Sequence, residues 1–215
     1  MTRLILIRHG QSLANADHLF AGHSDFDLTD FGKEQAALAA RWLVTHESVD
    51  AIYASDLLRA YHTACPIGEA FKLPVIRDTC LREIYAGLWE SMSFTDIAER
   101  FPDAFGVWTN DYSHARPVGG ESTEEVYHRI VPHICDLAER HDGGCILIAT
   151  HATVVRAFDA FAKGLSAEQT GQTSFCYNAA INQYTYENRT ASAIRTNIIE
   201  HLEGKTSSLP PIINA

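Results

Sequence analysis

Long apolar runs are missing from this chain. The N-terminal run Leu4-Ile5-Leu6-Ile7 stops at Arg8-His9-Gly10 after four residues, too short for the core of a signal peptide and for a bilayer span. No other apolar stretch approaches about 18 residues. Paired cysteines are missing as well: Cys65, Cys80, Cys135, Cys145 and Cys176 are odd in number, widely spaced and form no C-x-x-C. These absences predict a reduced, cytoplasmic chain with buried free thiols and no membrane partner. Positive charge is scarce, 17 Lys+Arg against 27 Asp+Glu for a formal charge of −10. That balance argues against nucleic acid as a partner, since such binding rests on cations that neutralise phosphates. It leaves room for a small anionic substrate, because a few arginines in a cleft focus positive potential locally. Among the eleven histidines no two stand three or four residues apart, so a helix-face metal pair is absent and no metal is expected.

What is present is an ordinary globular composition, 215 residues with 46% hydrophobic and 20% charged, enough for one domain with an insertion or at most two small ones. Leu4–Ile7, Ala51–Ala54 and Cys145–Ala149 are nearly continuous apolar stretches, as expected of strands covered on both faces. Helical patterns lie between them. Thr29 can cap a helix in which Ala36, Ala39, Ala40 and Leu43 recur on one face, and a second helix is predicted from about Leu57 to Phe71. Ser122-Thr123-Glu124-Glu125 reads as a capping box opening a third, with Val126, Ile130, Ile134 and Leu137 facing inward. A fourth, about Thr153 to Leu165, follows the third strand. Pro66 and Pro132 predict a kink or local break in the second and third. The alternation implies an α/β fold, a three-layer sandwich with a mostly parallel sheet between helices. Ile181–Tyr186 and Ala193–Ile198, joined by the polar turn Glu187-Asn188-Arg189-Thr190, predict an antiparallel C-terminal hairpin. The stretch 85–118 holds Tyr85, Trp89, Phe94, Phe101, Phe105, Trp108 and Tyr112, a third of the aromatics in a sixth of the length. It reads as a lid-like insertion over the sheet within a single domain spanning 1–215, and exposed aromatics there could support a homodimer. The tail after Gly204, with Pro210 and Pro211, is expected to be irregular.

Ligands of open α/β sheets bind beyond the carboxyl ends of the strands. The first strand delivers Arg8 and His9 to that edge, with Gly10 expected to let the backbone turn and approach a ligand closely. The second leads through Ser55-Asp56 to Arg59 in a first helical turn, where backbone amides already favour anions. The third ends at Thr150-His151. A lone histidine is usually a satisfied core residue and a lone arginine a solvated edge, but three strand exits converging on two of each are hard to attribute to chance. Guanidinium forks match phosphate oxygens, and a neutral imidazole is a good nucleophile toward phosphorus. A leaving alkoxide also needs a proton donor. Glu83 and Glu90 are candidates, because the aromatic stretch they flank favours a carboxyl that keeps its proton, and spacing does not choose between them.

The motif Arg8-His9-Gly10 with Asn15 resembles the signature of the histidine phosphatase superfamily, also called phosphoglycerate mutase-like. The resemblance runs on through Gly22-His23-Ser24-Asp25 with Leu28-Thr29, then Ser55-Asp56-Leu57-Leu58-Arg59, Leu81-Arg82-Glu83 with Gly87, Trp89 and Glu90, Pro117-Val118-Gly119-Gly120-Glu121-Ser122, and Thr150-His151. It implies that His9 takes the phosphoryl group as phosphohistidine, that Arg8, Arg59 and His151 hold its oxygens with Asn15 assisting, and that Glu83 is the general acid and then base. It also implies that Ser12 touches the substrate and that Glu121 orients the site, leaves Glu90 a supporting role, and implies no metal or organic cofactor. Ser91 and Ala152 stand where the family commonly has glycine, and neither change removes a chemical group.

Within such a family, hydrolysis of a small-molecule phosphate monoester is the expected activity. Cofactor-dependent mutases carry a longer insertion rich in basic residues, whereas 89–118 is short, aromatic and has only Arg100 and Arg116 as cations. A mutase must keep water from its phosphohistidine, and a phosphatase must admit it. The alternatives are such a mutase and a catalytically inactive binding protein on the same fold. Substrate choice is expected to lie in the insertion and around Arg82 and Arg116.

Overall fold

The computed structural model describes residues 1–207. Six strands form one sheet: β1 (Thr2–Arg8), β2 (Ala51–Ser55), β3 (Val75–Asp78), β4 (Cys145–Thr150), β5 (Ile181–Glu187) and β6 (Thr190–Ile198). Their order is β3-β2-β4-β1-β5-β6. The first four in that order run parallel, while β5 is antiparallel to β1 and β6 to β5. Seven α-helices accompany them in the described residues: α1 (Leu13–Ala16), α2 (Asp30–His46), α3 (Leu58–Phe71), α4 (Phe94–Arg100), α5 (Pro102–Asn110), α6 (Thr123–Arg140) and α7 (Ala152–Ala162).

Side chains alternate across a strand, so each central strand feeds two cores. Leu4 and Leu6 of β1 join Ile146 and Ile148 of β4 in a cluster with α6 and α7. Ile5 and Ile7 join Leu147, Ala149, Ala39, Leu43 and Ile67 in a cluster with α2 and α3. This is the three-layer sandwich that the alternation of elements implies. Both expected caps are present: the Thr29 hydroxyl accepts from the Gly32 amide at 3.0 Å, and Ser122 and Glu125 cap each other's amides.

Three local expectations are corrected. α3 and α6 run through Pro66 and Pro132 without a break. At Pro132 the carbonyl that loses its partner belongs to His128, an exposed residue where water can substitute. Gly10 is not part of the cavity lining described below. A Cβ there would lie 2.5 Å from the Gly32 carbonyl oxygen, so the glycine lets the start of α2 pack on the loop after β1. Cysteine burial is also mixed: Cys145 and Cys176 are buried, with thiols pushed up to about 11 by desolvation, while Cys80 is exposed. The strand β3 was not foreseen. Lys205–Ser207 carry no regular structure, and Pro210 and Pro211 lie outside the described residues.

The β5–β6 turn places Asn188 at φ 51° and Arg189 at φ 61°, the two left-handed residues of a type I′ hairpin. Asparagine tolerates this and arginine does not, while the Arg189 side chain is 86% exposed. Arg189→Gly is expected to stabilise the protein by up to about 1 kcal/mol, raising the Tm by about 2–4 °C in thermal unfolding.

Candidate active site

Because β2, β4 and β1 are parallel neighbours in that order, their carboxyl ends share one edge. Arg8 is in register with Thr150, and Ala54 with Ala149, so the residues just beyond these pairs must meet. His9 and His151 do so edge to face, ring centroids 5.2 Å apart. The His9 backbone is fixed from both sides, its amide donating to Thr150 O at 2.9 Å and its carbonyl accepting from the Ala179 amide at 3.1 Å. A cavity of about 620 Å³ opens there, with Arg8, His9, Asn15, Arg59 and Glu83 on its wall.

His9 Nδ1 lies 2.7 Å from the Gly10 carbonyl oxygen. A carbonyl only accepts, so Nδ1 carries the hydrogen and the neutral ring keeps its lone pair on Nε2. Burial, and then the Arg59 and Arg8 cations, hold this imidazole well below its ordinary value. His151 is lowered in the same way by burial, Arg59, His9 and Arg8, and neither of its buried ring nitrogens has a hydrogen-bond partner. The arginines are anchored by carbonyls: Arg8 Nη1 donates to Cys176 O at 2.5 Å, and Arg59 donates to Ser24 O at 2.9 Å and Gly22 O at 2.7 Å. Desolvation brings Arg59 down to about 10, still a cation at neutral pH. The Nε atoms of both are buried and unpartnered. Two charged forks and two imidazoles thus face one another with donors unspent, a receptor for a tetrahedral anion beside an unprotonated nitrogen.

The two glutamates separate clearly. Glu90 is saturated: its oxygens accept from the amides of His23 and Ser24 at 2.7 Å, the Ser24 hydroxyl at 2.5 Å and the Ala86 amide at 3.0 Å. It clasps the loop whose carbonyls hold Arg59. Glu83 lines the cavity and accepts from the Ile84 amide at 2.9 Å, with the Thr153 amide 3.4 Å from its other oxygen. Its own carbonyl accepts from His23 Nε2 at 2.9 Å. Glu121 pairs with Arg129 at 2.8 Å, and Arg129 donates to the carbonyls of Cys80, Arg82 and Glu83, so it steadies the Glu83 segment from outside the cavity.

Asn15 reaches the wall, its Oδ1 accepting from Asn178 Nδ2 at 3.1 Å. Ser12 does not: its hydroxyl is engaged in the cap of α1 with Asn15, and it is not part of the lining. Arg82 and Arg116 are also elsewhere, paired with Asp56 and Glu125. The aromatic stretch turns mostly inward. Phe20 stacks against Trp89, Phe94 and Trp108, while Phe94, Trp108 and Tyr112 line the cavity, which removes most of the exposed aromatic surface offered as grounds for a homodimer. Ser91 takes the left-handed conformation at φ 62°, a backbone state that favours glycine, the residue the resemblance leads one to expect there. Sequence reasoning missed Asn178, Phe175 and Arg156, which arrive on α7 and the segment before β5. Away from the cavity, Asp78, Cys80 and His133 bring three ligand-type atoms within 4.8 Å of one another, but Asp78 is already bonded to His133 at 2.6 Å and to the Cys80 amide at 2.9 Å.

Burying neutral histidines ties stability to pH. Below about pH 6.5 the unfolded chain protonates these imidazoles and the folded one does not, so stability must fall as pH falls. Each contributes a slope approaching about 1.4 kcal/mol per pH unit. Thermal unfolding between pH 7 and 5 is expected to show this decline, with a shallower slope in His151→Asn.

Similarity to known proteins runs along most of the chain. The pattern of the histidine phosphatase superfamily (branch 1) matches residues 4–199. Phosphoserine phosphatase 1 of Hydrogenobacter thermophilus is 34% identical over 203 residues, covering 94% of this chain and 95% of that protein. Among solved structures, Bacillus stearothermophilus YhfR superposes with a TM-score of 0.87 at 27% identity, covering 94% of this chain and 100% of that one. The mycobacterial glucosyl-3-phosphoglycerate phosphatase Rv2419c gives 0.83 at 29%, covering 91% and 98%. With its two histidines, two arginines and glutamate gathered at one sheet edge, the chain belongs to branch 1 of the histidine phosphatase superfamily and is a histidine phosphatase.

Proposed function

We propose that the chain hydrolyses a small-molecule phosphate monoester through a phosphohistidine on His9. The observation that carries this reading is a buried group of polar atoms without partners, the Arg8 Nε and Arg59 Nε donors and the His151 ring with its one N–H free, facing an imidazole that burial keeps unprotonated. Arg8, Arg59 and His151 hold the three equatorial oxygens, with Asn15 assisting. His9 Nε2 forms the P–N bond as the P–O bond to the leaving group breaks. Glu83 gives its proton to the departing oxygen. It then takes a proton from the water that attacks phosphorus and releases the imidazole. No metal or organic cofactor enters this sequence.

Hydrolysis is favoured over phosphoryl shuttling between hydroxyls because neither insertion cation faces the cavity. Arg116 is spent on Glu125 and the Gly120 carbonyl, and Arg100 lies over Phe101. The five free cysteines suit a reducing compartment such as the cytoplasm.

His9→Ala is expected to abolish turnover of p-nitrophenyl phosphate and of alkyl phosphates alike, and acid-labile label from a ³²P ester is expected on wild type and not on the variant. Glu83→Gln is expected to lower kcat/KM, which covers the steps up to leaving-group departure, for alkyl esters by about 10²–10⁴-fold. The loss on p-nitrophenyl phosphate should be much smaller, since that leaving group departs without a proton. An equal loss on both esters would remove Glu83 from the acid role. With 3-phosphoglycerate and 2,3-bisphosphoglycerate supplied together, release of free phosphate supports the hydrolase, and isomerisation without it would overturn the reading.

A further inference from the structure

At the β3 edge of the sheet, away from the cavity, a sulfur, a nitrogen and an oxygen converge from three elements. Asp78 ends β3, Cys80 lies in the turn Thr79–Leu81 that follows, and His133 comes from α6. One ligand atom from each lies within 4.8 Å of the other two. Histidine spacing excludes only ligand pairs on a single helix, and this group draws on a strand, a turn and a helix. An aspartate–histidine pair alone would be an ordinary tie between strand and helix. The exposed thiol beside it changes what the group can hold. His133 Nε2 lies 2.6 Å from Asp78 Oδ2, so a hydrogen occupies the place where an ion would sit. Asp78 Oδ1 accepts from the Cys80 amide at 2.9 Å, and the Cys80 carbonyl accepts from Arg129 Nη1 at 2.5 Å. The residue that carries the thiol is thus held from both sides, as outer contacts hold the ligands of a metal. The nearby cations are engaged: Arg129 pairs with Glu121 at 2.8 and 2.9 Å, Arg82 pairs with Asp56, and Arg77 lies over the Tyr61 ring.

We propose that Asp78, Cys80 and His133 form a site for one Zn²⁺ per chain, with a fourth position open to water. The donor set selects the ion. A single carboxylate is too little for Ca²⁺ or Mg²⁺, which take oxygen ligands, while thiolate with imidazole suits zinc. On binding, the thiol proton and the hydrogen between His133 and Asp78 leave to solvent, and bonds from sulfur, nitrogen and oxygen to zinc replace them. Tetrahedral zinc spaces such atoms roughly 3.3–3.6 Å apart, so His133 and Asp78 part by about 0.7 Å and the surface thiol closes in. The ion joins β3 to α6 at the start of the segment that leads to Glu83, and it takes no part in the phosphoryl chemistry.

Cobalt tests the site, because Co²⁺ takes the same ligands and reports sulfur coordination through a thiolate-to-cobalt absorption band. Titrating the reduced full chain, free of any histidine tag, is expected to develop that band to one equivalent, and Zn²⁺ is expected to remove it. Cys80→Ser, a change at an exposed position, is expected to lose the band. His133→Gln, which can still donate to Asp78, is expected to weaken affinity at least about tenfold. Zn²⁺ at about 100 times its Kd should raise the Tm of wild type by about 5–10 °C and leave that of Cys80→Ser in place. A wild-type spectrum without the band would overturn the site. So would a band that survives Cys80→Ser, which would put the ion on another cysteine, or equal Tm shifts in both proteins. None of these measurements uses turnover, so the site stands or falls apart from the hydrolase reading.

Discussion

Two guanidinium groups and two imidazoles buried side by side are a costly arrangement, and the rest of this structure is organised around making it tolerable. Arg8 and Arg59 are 6% and 1% exposed, and His9 and His151 are 4% and 0%. Charges taken out of water without a counter-ion destabilise a fold unless dipoles replace the lost hydration. Here the replacement is backbone carbonyl oxygen, from Cys176 for Arg8 and from Gly22 and Ser24 for Arg59. The imidazoles meet the same constraint by staying neutral. On the proposed reading a bound phosphoryl dianion would relieve the remaining frustration, so affinity for phosphate and the cost of burying the cations would have one origin.

Those carbonyls must themselves be held, and acidic residues outside the cavity hold them. Glu90 grips the amides of His23 and Ser24, which orients the carbonyls that receive Arg59. Glu121 acts through Arg129 on the carbonyls of Arg82 and Glu83. Thr63 joins the two arginine-bearing strand exits, accepting from the Gly10 amide and donating to the Arg59 carbonyl. Glu90 acts by fixing peptides and Glu121 by fixing the arginine that fixes them, and neither touches Arg8 or Arg59. An acid placed directly against either arginine would satisfy it and close the anion site.

What could be read in advance follows from how each element meets solvent. β1, β2 and β4 are central and buried on both faces, so they stand out as unbroken apolar runs. β3 is an edge strand, Val75-Ile76-Arg77-Asp78, mostly exposed, and its mixed composition hides it. The polar residues at the ends of the central strands were legible because a parallel sheet brings its carboxyl ends to one edge. Glu83 and Glu90 were not separable by spacing, since the difference lies in which amides fold back onto each carboxylate. Asn178 and Phe175 were invisible for a related reason. β5 lies beside β1 across more than 170 residues of sequence, and the segment before it acquires meaning only from that pairing. Ser12 shows the converse: adjacent to the signature motif, it spends its hydroxyl on a local cap.

The cavity is therefore made of two kinds of wall. Its phosphoryl end is built from strand termini, whose positions are fixed by ladder hydrogen bonds and by two packed cores. Its outer wall is built from α4, α5 and the segment 171–178, where the connections are irregular and side chains are half-exposed. Irregular segments can change without disturbing a sheet, so the reaction and the choice of leaving group are separable in this fold. α7 spans the division. It begins beside His151 at the rigid end and carries Arg156 out to the variable wall, so the distance between the two walls is set there by a helix and not by a loop. A specificity contact placed on that ruler stays in register with the chemistry even when the surrounding segments move.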